Sequence, residues 1–180
     1  MKKLFVLSLI FILTACSVTQ DKKSPNDILL SIKDYSCKMV ISYFSNKNKN
    51  EYIANQTYSS NGQYSMDFLD KEGFSIEYEN SELKISTNDP KSQLLLTNYE
   101  ELNKNPLFLS YFINTYFNSE DSNNIKETND SIEIILPNNN QYLYSAKLLF
   151  KNNIPYSLTY FDKNGNEKVN IIYSEFTSIA

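Results

Sequence analysis

From Ser36 onward the side chains alternate with a period of two, and this period constrains the fold more than any other feature. Cys37, Met39, Ile41 and Tyr43 fall on one face, and Lys38, Val40, Ser42 and Phe44 on the other. After an Asn/Lys turn, Tyr52, Ala54, Gln56 and Tyr58 alternate with Ile53, Asn55 and Thr57. Tyr64, Met66 and Phe68 form the next face, then Phe74, Ile76 and Tyr78, then Leu83 and Ile85. The punctuation between these runs is local: Asn61-Gly62 has the form of a two-residue hairpin, Lys71-Glu72-Gly73 turns the chain, and Asn80-Ser81 turns it again. Short alternating runs joined by tight turns predict an antiparallel meander with one face buried and one wet.

Two helices interrupt or precede this pattern. Ser24-Pro25-Asn26-Asp27 reads as a helix start, with serine as cap, proline in the first turn and aspartate at the positive end of the helix dipole. Ile28, Leu29, Ile32 and Tyr35 follow at helical spacing. Asn88-Asp89-Pro90 ends the meander, Thr97-Asn98-Tyr99-Glu100 has the form of a capping box for a short helix, and Asn105-Pro106 caps a second one. In that second helix Leu109, Phe112, Ile113, Tyr116 and Phe117 make an apolar face, with Ser110, Asn114 and Asn118 opposite. A polar run from Asn118 to Asp130 reads as a loop. Four further strands are expected at Ile132–Leu136, Tyr142–Phe150, Ile154–Phe161 and Glu167–Phe176. The layout is a helix, about five strands, a helical insertion and about four strands.

The N-terminus has a different character. Lys2 and Lys3 precede an apolar run from Leu4 to Leu13 that is too short to span a membrane, and it closes on Leu13-Thr14-Ala15-Cys16. This order resembles the lipoprotein box of bacterial exported proteins. The resemblance implies a signal peptide over residues 1–15, a diacylglyceryl group on the Cys16 thiol and a lipidated tether over 16–24. A single domain then occupies 25–180.

Composition removes most chemistry. The chain has no histidine, so no Ser-His-Asp or Cys-His constellation and no imidazole metal ligand can be built. Its 17 basic residues are all lysines against 21 acids; loss of Lys2 and Lys3 with the leader takes the net charge from −4 to −6. Such a chain is a poor partner for nucleic acid and draws nothing from anionic headgroups, which leaves membrane anchoring to the acyl chains. With Cys16 acylated, Cys37 has no intramolecular disulfide partner, and it reads first as a small apolar strand residue, with intermolecular pairing or a reactive thiol as the alternatives. Three glycines supply no phosphate-binding loop. A glycosidase needs only two carboxylates, but Glu77, Glu79, Glu100, Glu101, Glu120 and Asp121 read as solvated surface acids. No catalytic residue, metal site or cofactor is expected, and the chain reads as not an enzyme.

Tyr142, Tyr144, Tyr156, Tyr160 and Tyr173 recur through the last strands, as if on one face. They either line a concave aromatic groove closed by the Phe112 helix or simply fill the core with hydroxyls at its rim. An exposed aromatic edge that docks another protein fits either arrangement.

The lipoprotein box, the capped helix, Tyr35-Ser36-Cys37-Lys38 opening a long strand, the Asn105-Pro106 insertion and the closing Ile171-Ile172-Tyr173-Ser174-Glu175-Phe176 resemble the GerS family of clostridial germination lipoproteins. The resemblance implies a LolA/LolB-like α+β fold, a strongly curved antiparallel sheet in a half-open barrel covered by the N-terminal helix and the helical insertion. It also implies a location on the outer face of the forespore membrane. There the lipoprotein would bind and allosterically activate a zinc-dependent N-acetylmuramoyl-L-alanine amidase needed for a germinable cortex, with the zinc held by the amidase. The alternative is a lipid or lipoprotein carrier of the LolA/LolB type, and a wall hydrolase comes last. Strand exchange into a homodimer is open to a sheet with free edges.

Overall fold

A computed structural model describes residues 22–45, 48–70, 74–87, 92–98, 105–119, 121–137 and 141–179. All eleven strands of the described chain belong to one antiparallel sheet. In chain order they are β1 (Asp34–Ser45), β2 (Asn48–Tyr58), β3 (Tyr64–Phe68), β4 (Ser75–Glu79), β5 (Glu82–Ser86), β6 (Gln93–Thr97), β7 (Ile125–Glu127), β8 (Ser131–Ile135), β9 (Ser145–Lys151), β10 (Ile154–Phe161) and β11 (Glu167–Ile179). Helix α1 (Pro25–Ser31) precedes β1, and α2 (Leu109–Phe117) stands between β6 and β7. The spatial order is β6-β5-β4-β3-β2-β1-β11-β10-β9-β8-β7. Two meanders are thus joined along their longest strands, β1 and β11, and α2 lies on the connection between the two outer edges.

That connection shows how strongly the sheet bends. The Phe108 ring meets Tyr64 of β3 at 5.5 Å between centroids, while the Tyr116 hydroxyl donates to Glu127 of β7. In a flat sheet β3 and β7, seven spacings apart, would be about 33 Å from one another. The helix rises only about 12 Å from Phe108 to Tyr116. The sheet therefore wraps around α2, its concave face holding the core and its convex face turned outward. The expected curved antiparallel sheet with a helix before it and a helix inserted in it is the observed architecture.

Local chemistry accounts for the elements. The Ser24 side chain caps α1 by accepting from the Asp27 N–H at 3.1 Å, and its own hydroxyl reaches Asp27 Oδ2 at 2.7 Å. The helix ends at Ser31, and Ile32 is already extended. Tyr35, expected on the helix, belongs to β1, where it shares the buried face of Cys37, Met39 and Ile41. Helical and strand spacing coincide at that residue. The turns Asn80-Ser81 and Asn152-Asn153 have positive φ at both residues, as two-residue hairpins require. Asn61-Gly62 instead sits in a longer loop, closed by Ser59 N–H to Gln63 O and with Gly62 at φ 91°.

Two bulges change which residues face the core. On β10 the register shifts between Pro155 and Ser157. On β11, Thr177 opposes Ser36 and Ser174 opposes Lys38, so Glu175 and Phe176 together face Cys37. Glu175 takes φ 52°, a value glycine usually supplies at such a bulge. The extra residue brings Phe176 onto Tyr35, stacked at 5.5 Å.

Candidate functional site

The concave face is an aromatic core. Phe108, Leu109 and Phe112 of α2 and its approach are buried against Met39, Ile41, Met66, Leu158, Ile171 and Tyr160, with Ile28 and Leu29 of α1 in the same cluster. One polar link ties the layers. The Tyr35 hydroxyl donates to Gln56 Oε1 at 2.7 Å, and Gln56 Nε2 donates to the Leu107 carbonyl at 3.1 Å. Burial raises the Tyr35 pKa well above the ordinary phenol value, with the Leu109 and Ser110 N–H groups partly offsetting it. Burial also raises Tyr64, to about 12, and carries Tyr160 and Tyr173 well higher than usual. The hydroxyls of Tyr160 and Tyr173 are buried with no hydrogen-bond partner.

The α2 face differs from its sequence pattern. Ser110, expected on the wet side, is 2% exposed, and Phe117, expected on the buried side, is 44% exposed. The sheet curls around the start of the helix, so burial there extends beyond one stripe, while its end projects past the strands. Asn105 does not cap the helix. Its side chain accepts from the Leu107 N–H in a turn before it, and Phe108 holds the cap position without a side-chain hydrogen bond.

The five tyrosines do not share a face. Tyr160 and Tyr173 are core residues, Tyr144 is half-buried, and Tyr142 and Tyr156 are exposed. The β10 bulge turns Tyr156 outward, where Lys151 Nζ sits 5.5 Å from its ring. The two inward tyrosines fill the concavity together with α2. A cleft of about 590 Å³ lies beside the end of α2, lined by Thr115, Asn118, Asp121, Ile135, Leu136 and Tyr144 among others.

The remaining candidates are structural where they are described. Cys37 is buried, and burial pushes its thiol up to about 12, which leaves it without thiolate at neutral pH. Glu77 pairs with Lys84 at 3.1 Å, Glu79 accepts from Gln63, and Asp121 caps the short 3-10 turn Ser122–Asn124. Cys16, Glu100, Glu101, Glu120 and the short helix expected after Thr97 lie outside the described residues; Thr97 itself ends β6. Asp162, which carries no motif in the sequence, is held far below the usual carboxylate range by Asn166, the Asn164 and Asn166 N–H groups and Lys168. It organises the β10–β11 turn. Among the described residues no three metal-ligating side chains cluster, and no helix is long and apolar enough to cross a membrane.

The family model for YdcC-like sporulation proteins matches residues 1–179. The chain belongs to this family. No curated protein sequence matches it. Among solved structures, an uncharacterized conserved protein from Thermus thermophilus is similar over 86% of both chains, with a TM-score of 0.54 and 9% identity. That likeness is one of fold. A LolA superfamily protein from Nitrosomonas europaea is similar over 88% of this chain and 94% of its own, with a TM-score of 0.40 and 10% identity. A putative outer membrane lipoprotein-sorting protein domain from Vibrio parahaemolyticus is similar over 85% of this chain and 89% of its own, with a TM-score of 0.39 and 8% identity.

Proposed function

We propose that this member of the sporulation family is an exported lipoprotein, anchored through a diacylglyceryl group on Cys16. It binds and allosterically activates a cortex-modifying N-acetylmuramoyl-L-alanine amidase as the spore forms. The observation that carries this reading is the filled concavity. Phe108, Phe112 and Tyr160 are wholly buried where a carrier would hold its cargo, which favours work through a surface over work through a cavity. The GerS-like words in the sequence supply the amidase as partner, and the resident zinc then belongs to that enzyme. The activator stabilises the amidase conformation that retains its metal.

A second reading is favoured by one detail. The orphan hydroxyls of Tyr160 and Tyr173 offer two donors to a polar headgroup under a displaced α2, as in a lipid carrier.

The test is to mix the mature chain with the cortex amidase of the same organism. Co-elution in size-exclusion chromatography, with raised zinc content and muropeptide cleavage, supports the activator. No complex and no activation overturn it, and native mass spectrometry for a bound acyl chain then decides the carrier reading.

A further inference from the structure

The first described residues fix where the chain enters the domain. Lys23 donates its N–H to Asn153 Oδ1 at 3.2 Å, and Ser24 then caps α1. Lys22 and Lys23 border two adjoining clefts, one shared with Asn152 and Asn153 of the β9–β10 turn and one with Thr128 and Asn129 between β7 and β8. On the outer side of the same β9–β10 hairpin stand Ile154 and Tyr156, both more than two-fifths exposed. Lys151 pairs with Ile154 across the hairpin and lies over the Tyr156 ring.

The charges at this end are unequally engaged. Its carboxylates already accept from the protein, Asp27 from Ser24, Glu127 from Tyr116 and Asp130 from Thr128. Lys22, Lys23 and Lys151 make no ion pair with a described carboxylate. Three ammonium groups therefore stand beside an exposed isoleucine and tyrosine, on a chain whose net charge is negative. Only five residues separate Lys22 from Cys16. That length reaches about 20 Å fully extended and about 13 Å as a flexible chain. The β10–β11 turn stands a further strand away, about 26 Å along β10.

We infer that the β9–β10 end of the domain is a lipid-binding face, and that its occupant is the anionic headgroup layer of the membrane that holds Cys16. The inference rests on the anchored-lipoprotein reading above. An acyl anchor so close to Lys22 presses this end, and not the β10–β11 end, against the bilayer. Lys22, Lys23 and Lys151 pair with headgroup phosphates, while Ile154 and the Tyr156 ring reach the acyl boundary. The net negative charge, which by itself predicts no headgroup contact, is averaged over a surface most of which the tether does not bring to the membrane.

The test uses the full chain, processed in a lipoprotein-exporting bacterium and reconstituted in vesicles of phosphatidylcholine and phosphatidylglycerol. A fraction of the lipid carries a diazirine in its headgroup; light then cross-links it to what it touches, and peptide mass spectrometry locates the label. The expected label lies on residues 151–156 as well as 22–23, and is absent from the turn at 162–166. Lys151→Glu, which leaves the tether intact, should lower the label at 152–156 at least about five-fold, as should omission of phosphatidylglycerol. Lys163→Glu, in the β10–β11 turn, should leave it unchanged. Label confined to the tether, or spread evenly over both ends of the sheet, overturns the membrane face while leaving the anchor intact. Label at 152–156 that ignores both Lys151→Glu and the loss of phosphatidylglycerol overturns the pairing with anionic headgroups, and the inference with it. A chain that is recovered without acyl groups and does not float with the vesicles overturns the anchored reading itself.

Discussion

The two wings of the sheet differ in what covers them. From β1 through β11, β10 and β9 to β8, the inward side chains Met39, Ile41, Ile171, Leu158, Tyr160, Leu148, Ala146, Ile132 and Ile134 are buried under the two helices. Toward the other edge burial fades. Leu83 of β5 is still buried, Ile76, Tyr78 and Ile85 are half-buried, and on β6 every residue is exposed. Leu94 and Leu96 pair with Ile85 and Leu83, so they share the inward face and still meet solvent. The ladder of hydrogen bonds is if anything the more regular toward β6, since the register shifts all fall among β1, β11, β10 and β9. A second layer, and not the pairing, separates a strand that holds the fold from one that hangs on it. The β6 edge, with its exposed leucines, is also where strand exchange between two copies would begin.

Replacing Phe112 by Ala should break the covered wing most severely. The ring is wholly enclosed, and such a cavity typically costs about 3–5 kcal/mol. The same truncation at Leu94 should cost less than about 1 kcal/mol, because little surface leaves water there. Urea unfolding of both variants measures the contrast directly. Equal losses would mean that the β4–β6 wing has a cover of its own in solution.

A smaller loss is expected from Gln56→Ala. Gln56 is buried and bridges Tyr35 to the Leu107 carbonyl, so its removal strands two polar groups in the core at about 1–3 kcal/mol. The loss should be accompanied by faster hydrogen exchange at the start of α2, since the bridge fastens that segment to β2. Exchange unchanged in α2 would show that the apolar contacts alone hold the helix down.

The covered wing also sets the alkaline limit. Cys37 and the core tyrosines Tyr35, Tyr64, Tyr160 and Tyr173 ionise at higher pH folded than unfolded, through burial first. Above about pH 9 to 10 the unfolded chain therefore releases protons before the folded one does. Their stabilising contribution is complete below about pH 9 and falls as pH rises toward about 12. Denaturant midpoints between about pH 8 and 12, read with tyrosinate absorbance, test this. A flat profile across that range would show these groups to be solvated.

The same contrast explains what the sequence disclosed. Covered strands alternate because one face is buried, so the presence and order of β1 to β5 and β8 to β11 and the cap of α1 were legible, while Tyr35 proved to belong to β1 and β9 begins at Ser145 in place of Tyr142. β6 was not, because Gln93-Leu94-Leu95-Leu96-Thr97 is exposed on both faces and its pairing with β5 is carried by backbone. The three-residue β7 sits in a polar run for the same reason. The tyrosine face failed at particular residues: the bulge at Tyr156 inserts one residue and turns that ring outward, and Tyr142 stands before β9 begins at Ser145. The lysines of the membrane face were hidden in a net acidic count, since only the fold brings Lys22 and Lys23 to the β9–β10 turn.

The smallest expected effect bears on the choice between surface and cavity. Tyr160→Phe removes a hydroxyl that is buried without a partner while keeping the ring that packs the core. An unpaired buried polar group is destabilising, so its deletion should leave stability unchanged or raise it by up to about 1 kcal/mol, and Tyr173→Phe should behave alike. A loss of more than about 1 kcal/mol from either would mean that the hydroxyl is partnered in solution. The concavity would then hold something besides the protein's own side chains. Such a result would move the weight from docking on the surface to binding beneath α2, and would be sharpened by repeating the measurement on delipidated protein: a penalty that vanishes on delipidation identifies a bound lipid, and one that persists identifies water.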